Sequence, residues 1–159
     1  MGAPATKGRP LLVFLLISVL TLALDQATKA LVHHILSPGV FVPLAGKWVG
    51  LRLVHNTASA FGLVQAPWVP LAGGLLASVV LVTYVARGGL GRHPGLSLPL
   101  ALLLAGSLGN LLDRLRFQAV TDFIDFRVWP VFNIADAAIT VGVLALALLV
   151  LRRRPGGRS

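Results

Sequence analysis

Every acidic residue of this chain is an aspartate: Asp25, Asp113, Asp122, Asp125 and Asp136, with no glutamate anywhere. Acids are ordinarily cheap surface residues. Here 56% of the residues are hydrophobic and only 12% charged, about half the charged share of a soluble domain, so each aspartate calls for a reason. Carboxylates that meet at one site can do acid–base chemistry. When two share a site, one is held protonated because both cannot easily ionise. The ionised one can then take a proton from water while the protonated one polarises a peptide carbonyl. Such a pair requires neither a metal nor a Ser or Cys nucleophile. Competing chemistries are poorly provided for. There is no Cys, so disulfides, thiolate metal sites and a Cys nucleophile are excluded. His33, His34, His55 and His93 form no His-Glu-x-x-His pattern, and Ser18, Ser59, Ser78 and Ser107 have no obvious Lys or His partner.

The elements that must position these aspartates are four apolar runs, at about 11–31, 68–86, 96–115 and 131–151. Each is roughly 20 residues, or about 30 Å as a helix, enough to cross the hydrocarbon core. The first run is read as a span and not as a cleaved leader, since no well-formed cleavage site follows it. The net charge of +9 comes in short clusters beside the apolar runs, a topology signal that argues against nucleic-acid binding. Lys7 and Arg9, then Arg87 and Arg92, then Arg152, Arg153, Arg154 and Arg158 fall on one side, expected to be the cytoplasm. Outer loops are expected at about 32–67 and 116–130, although these also carry Lys47, Arg52, Arg116 and Arg127. In the first, Phe41–Leu44 and Trp48–Val54 read as short strands around a Gly-Lys turn, and Thr57–Leu63 as a short helix lying on the membrane. The tail 152–159 is basic and expected to be disordered.

All five acids then gather at the outer ends of the spans. Asp25 and Lys29, four apart, can pair on one helix face. Gly106, Asn110 and Asp113 follow one face, and Asn133 and Asp136 share another. Structural readings compete for several of them. Asp25 with Lys29 could be a snorkelling ion pair, Asp113 with Arg114 a helix-end pair, and Asn110 a helix-packing residue. Asp136 is harder to reduce to structure, because it lies about one turn inside an apolar helix, near the end whose dipole favours an anion. Asp122 and Asp125 lie on an extended stretch. As a strand it would point them to opposite faces, so that only one aims at Asp136.

Five stretches occur in order along nearly the whole chain: Asp25-Gln26-Ala27-Thr28-Lys29, Asn56 to Gly62, Gly106 to Arg114, Val120 to Phe126 and Phe132 to Ile139. Together they resemble the motifs of the prolipoprotein signal peptidases, the type II signal peptidases of bacteria. The resemblance implies a single membrane-embedded peptidase domain over 1–159, mainly α, polytopic, with four transmembrane helices and a small extracytoplasmic β-containing loop region. It implies a catalytic dyad of Asp122 and Asp136. Asp25, Lys29, Asn56, Gly106, Asn110, Arg114, Asn133 and Ala135 match motif positions around the site. Asp113 would brace Arg114, and Asp125 would be secondary. Ala58-Ser59 departs from the usual Gly-Ala. The implied substrate is a prolipoprotein whose Cys already carries a diacylglyceryl group, cut just before that Cys. No cofactor, metal or nucleic acid is expected; membrane lipid is, and the chain is expected to be monomeric in the bacterial inner membrane. The rival reading is a small proton-coupled carrier or channel subunit. Carriers, however, place their sites near the midplane, and no acid lies in the inner half of any span.

Overall fold

A computed structural model describes residues 8–57 and 68–152. The segment around Phe61, the Ala58-Ser59 departure and the tail beyond Arg152 lie outside the described residues. Among the described residues, four helices are long and apolar enough to cross a membrane. They are α1 (Gly8–Ile35), α2 (Trp68–Ala86), α4 (Ser97–Phe117) and α5 (Ile134–Arg152). A four-residue helix, α3 (Gly89–Arg92), and a short turn connect α2 to α4. Pro10, Pro70 and Pro99 each fall in the first turn of α1, α2 and α4, where a missing N–H costs no hydrogen bond.

Two boundaries differ from the sequence expectation. α1 continues about a turn past Leu31, because nothing breaks the helix before Pro38-Gly39. α5 starts at Ile134 instead of 131, because the backbone of Phe132 is already engaged with Phe123 and Ile124. Strands β1 (Val42–Ala45), β2 (Val49–Asn56) and β3 (Val120–Asp125) form an antiparallel sheet in that order. The β1–β2 hairpin lies within a residue or two of its expected place, with Gly46 in the left-handed conformation. Pairing of β3 with β2 sets Asp122 opposite Val54 and Thr121 opposite His55.

α4 is the most buried of the four long helices and packs against α1, α2 and α5. Small residues permit this. A Cβ on Gly106 would come within 2.5 Å of the Ala135 carbonyl oxygen, and one on Gly109 within 2.5 Å of Asp25 Oδ2. The other three long helices turn apolar side chains outward, among them Val19, Leu20, Leu76, Val80, Leu144 and Leu148, as lipid-facing surfaces do. Phe14, Leu90, Leu100, Ala101 and Leu104 form a core at one end. At the other, Val32, Leu53 and Phe123 join the tip of α1 to the sheet.

Candidate active site

The N-terminus of α5 organises the polar centre. Its first backbone N–H groups have no intrahelical acceptor and need outside partners. Asn133 caps the helix: its Oδ1 accepts from the Asp136 N–H at 2.8 Å, and Asp136 Oδ2 accepts from the Asn133 N–H at 3.3 Å. This is a reciprocal capping box built with Asn and Asp, and it places the Asp136 carboxylate at the positive end of the helix dipole. The Ala135 N–H is taken by Asp25 Oδ1 of α1 at 2.9 Å. Ala135 is wholly buried, in the space left by Gly109.

Behind this end lies a buried charge cluster. Lys29 Nζ meets Asp25 at 2.9 Å and Asp113 at 3.0 Å, and donates to Asn110 Oδ1 at 3.1 Å. All four side chains are buried, so the two carboxylates survive desolvation only through these partners. Gln26 also donates to Asp25, Asp113 and the Gly109 carbonyl. The expected bracing of Arg114 by Asp113 is corrected here. Asp113 turns to Lys29 and to the Thr121 N–H at 2.9 Å, while Arg114, the next residue round the helix, faces elsewhere and donates to the Asn110 carbonyl.

In front of the cluster, Asn133 joins two aspartates from different elements. Its side-chain amide donates to Asp122 Oδ1 at 2.7 Å, and its backbone N–H to Asp136. Asn56 of β2 donates to the other Asp122 oxygen at 2.9 Å, and Asn110 of α4 donates to Asp136 Oδ1 at 2.7 Å. Burial pushes the Asp122 carboxyl up to about 6; the neighbouring Asp136 charge adds to the rise, and the two amide hydrogen bonds oppose it. Asp136 remains half-buried and lines a cavity of about 370 Å³ with Phe126, Trp129 and Phe132. On another side, Arg114 lines a second cavity of about 370 Å³ with Thr57, Trp68 and Leu71.

Asp125, three residues along β3 from Asp122, goes the other way. It pairs with Arg52 at 2.7 Å and accepts from the Arg127 N–H at 2.7 Å, closing the turn where Arg127 has φ 62°. Two residues were given no role from the sequence. Thr121 is buried and held through its N–H, hydroxyl and carbonyl; its position next to Asp122 was the only signal. His33 is bonded to the Thr121 hydroxyl at 3.0 Å, and it extends the Asp25, Lys29 stripe by another four residues.

A family model for signal peptidase II matches residues 17–152. The chain belongs to the signal peptidase II family. Among relatives, a lipoprotein signal peptidase of Moorella thermoacetica is 41% identical over 138 residues, 87% of this chain and 92% of that one. The lipoprotein signal peptidase of Burkholderia mallei is 39% identical over 163 residues, 96% of each chain. A solved bacterial membrane enzyme superposes with a TM-score of 0.80 at 26% identity, covering 88% of this chain and 93% of its own. A second such structure gives 0.78 at 25% identity, over 92% and 93%. This chain is therefore a membrane-embedded signal peptidase II family protease with four apolar helices and a small sheet, and the carrier reading finds no support among these matches.

Proposed function

We propose that this chain is an aspartic-type endopeptidase that removes the signal peptide of prolipoproteins by hydrolysing the bond just before a diacylglyceryl-modified Cys. The observation that carries the reading is Asn133, whose two donors hold Asp122 from the sheet and Asp136 from α5 in one polar centre. In the proposed reaction a water molecule lies between the two carboxyls. The ionised one removes its proton as the oxygen attacks the scissile carbonyl, and the protonated one donates to the carbonyl oxygen. Collapse of the tetrahedral intermediate breaks the C–N bond, and a carboxyl proton passes to the leaving nitrogen. The proton shuttles within the pair, so no metal enters the cycle. Lys29, Asp25 and Asp113 support the site as a buried ion-pair cluster, and Asn56, Asn110 and Asn133 orient the dyad. Arg114, in the lining of its cavity, is suited to hold the substrate backbone. The chain acts as a single-domain monomer with both termini cytoplasmic and the dyad near the outer leaflet, where a lipidated Cys beside an apolar signal helix would sit.

The test is processing of a lipidated precursor by purified protein in detergent, wild type beside Asp122→Asn and Asp136→Asn. Loss of cleavage in both variants with retained precursor binding is expected. Substantial cleavage by either would overturn the aspartic mechanism.

A further inference from the structure

His33 lies outside the polar centre, yet it is tied to the strand that carries Asp122. Its Nε2 is hydrogen-bonded to the Thr121 hydroxyl at 3.0 Å. The imidazole also lies near two further rings, with centroid separations of 5.3 Å to His55 and 5.7 Å to Phe117. Thr121 is 1% exposed and directly precedes Asp122. Its N–H is fixed by Asp113 at 2.9 Å, and its carbonyl accepts from the Asn133 amide at 3.2 Å, the same amide that donates to Asp122 at 2.7 Å. The hydroxyl is thus the anchor of Thr121 that reaches the tip of α1. His55, opposite Thr121 in the sheet, directly precedes Asn56, the other donor to Asp122.

We propose that His33 is a positioning residue for the reaction: through the Thr121 hydroxyl it locks the β3 segment so that Asp122 keeps its alignment with Asn133 and Asp136. This rests on the assignment of Asp122 to the dyad. His33 touches neither carboxyl of the dyad. Removing its bond leaves the charges intact but lets the strand shift, and small misplacements of a reacting group are costly in rate. The loss therefore falls on kcat and leaves KM unchanged.

The experiment measures cleavage of a lipidated precursor by His33→Ala, His33→Gln, Thr121→Val, Thr121→Ser and the His33→Ala/Thr121→Val double variant, with Asp122→Asn alongside. His33→Ala and Thr121→Val should each lower kcat on the order of tenfold with KM within about twofold. The double variant should be no worse than either single one, since both break the same bond. His33→Gln and Thr121→Ser, which keep a hydrogen-bonding group, should recover most of the rate. Wild-type kcat in His33→Ala, a loss confined to KM, or losses that multiply in the double variant would overturn the proposal. If His33→Ala does not fold, the Thr121 variants decide it: equal activity of Val and Ser overturns it, and a Ser-specific recovery supports it. Activity in Asp122→Asn would instead remove the dyad assignment on which it rests.

Discussion

Asp122 and Asp136 each accept two hydrogen bonds, but only Asp122 is closed off from the surface. Its carboxyl, ordinarily near 3.8, is held at about 6, so the fold favours the protonated form. The sign follows by linkage: that contribution to stability is full below pH 3.8 and is lost as pH rises through about 6. Asp122→Asn cannot ionise. The variant should therefore melt several degrees above wild type once the pH exceeds that of the transition, a difference that vanishes in acid. Thermal scans across pH check this, and an unchanged pH dependence would contradict the assigned burial effect. Asp125→Asn should leave kcat within a few fold, because Asp125 forms an ion pair with Arg52 and accepts from the Arg127 N–H, away from the dyad. Its cost should appear as a lower melting temperature, from an Arg52 left without its ion-pair partner. Arg114→Ala should lower activity strongly in a folded protein; normal processing by that variant would reduce Arg114 to a structural role.

At the scale of elements, the active-site proposal depends on how α4 and α5 meet. Gly106→Ala would press a methyl against the Ala135 carbonyl, which is backbone and cannot rotate away, so α5 must shift. Overpacking of this kind costs about 1–3 kcal/mol. Activity should fall more than stability, because Ala135 directly precedes Asp136. Asn133→Ala removes a helix cap worth about 1 kcal/mol together with the Asp122 hydrogen bond. Asn133→Ser keeps a capping oxygen but lacks the amide that reaches Asp122. Serine should therefore restore the melting temperature without restoring cleavage, as paired melting and processing assays would show. Equal recovery of both would mean that capping alone is what Asn133 contributes.

For the whole molecule, the expected orientation puts the sheet outside and both termini inside. The start of α1, the end of α2 and α3 line one cavity that includes Arg92, as befits a single end of the bundle. All three tryptophans, Trp48, Trp68 and Trp129, are exposed on or beside the connections at the other end, where interfacial aromatics belong. Because the chain has no native Cys, Lys47→Cys should react with an impermeant reagent in intact cells and Arg152→Cys only after the membrane is opened. Labelling of Arg152→Cys from outside would reverse the topology.

Hydropathy and periodicity are local properties, so they were enough for the four spans, the β1–β2 hairpin, the Asp25–Lys29 pair and the gathering of the acids at one end. The five motifs, taken in order, were enough to recognise the family. The Asn133-x-x-Asp136 spacing was legible as a shared helix face, although its use as a capping box required seeing that the helix begins after Phe132. Which of Asp122 and Asp125 meets Asn133 was open by spacing alone, since alternation places them on opposite faces but does not say which face is inward. Pairing of β3 with β2, elements more than sixty positions apart, decided it. Distance in sequence likewise concealed that Asp25 accepts the Ala135 N–H, that Asp113 serves Lys29 instead of Arg114, and that His33 reaches Thr121. A local pattern assigns each residue a face. Only the packing of α1, α4, α5 and the sheet determines what lies opposite that face, because buried donors and charges settle on partners that the tertiary fold brings within hydrogen-bond reach.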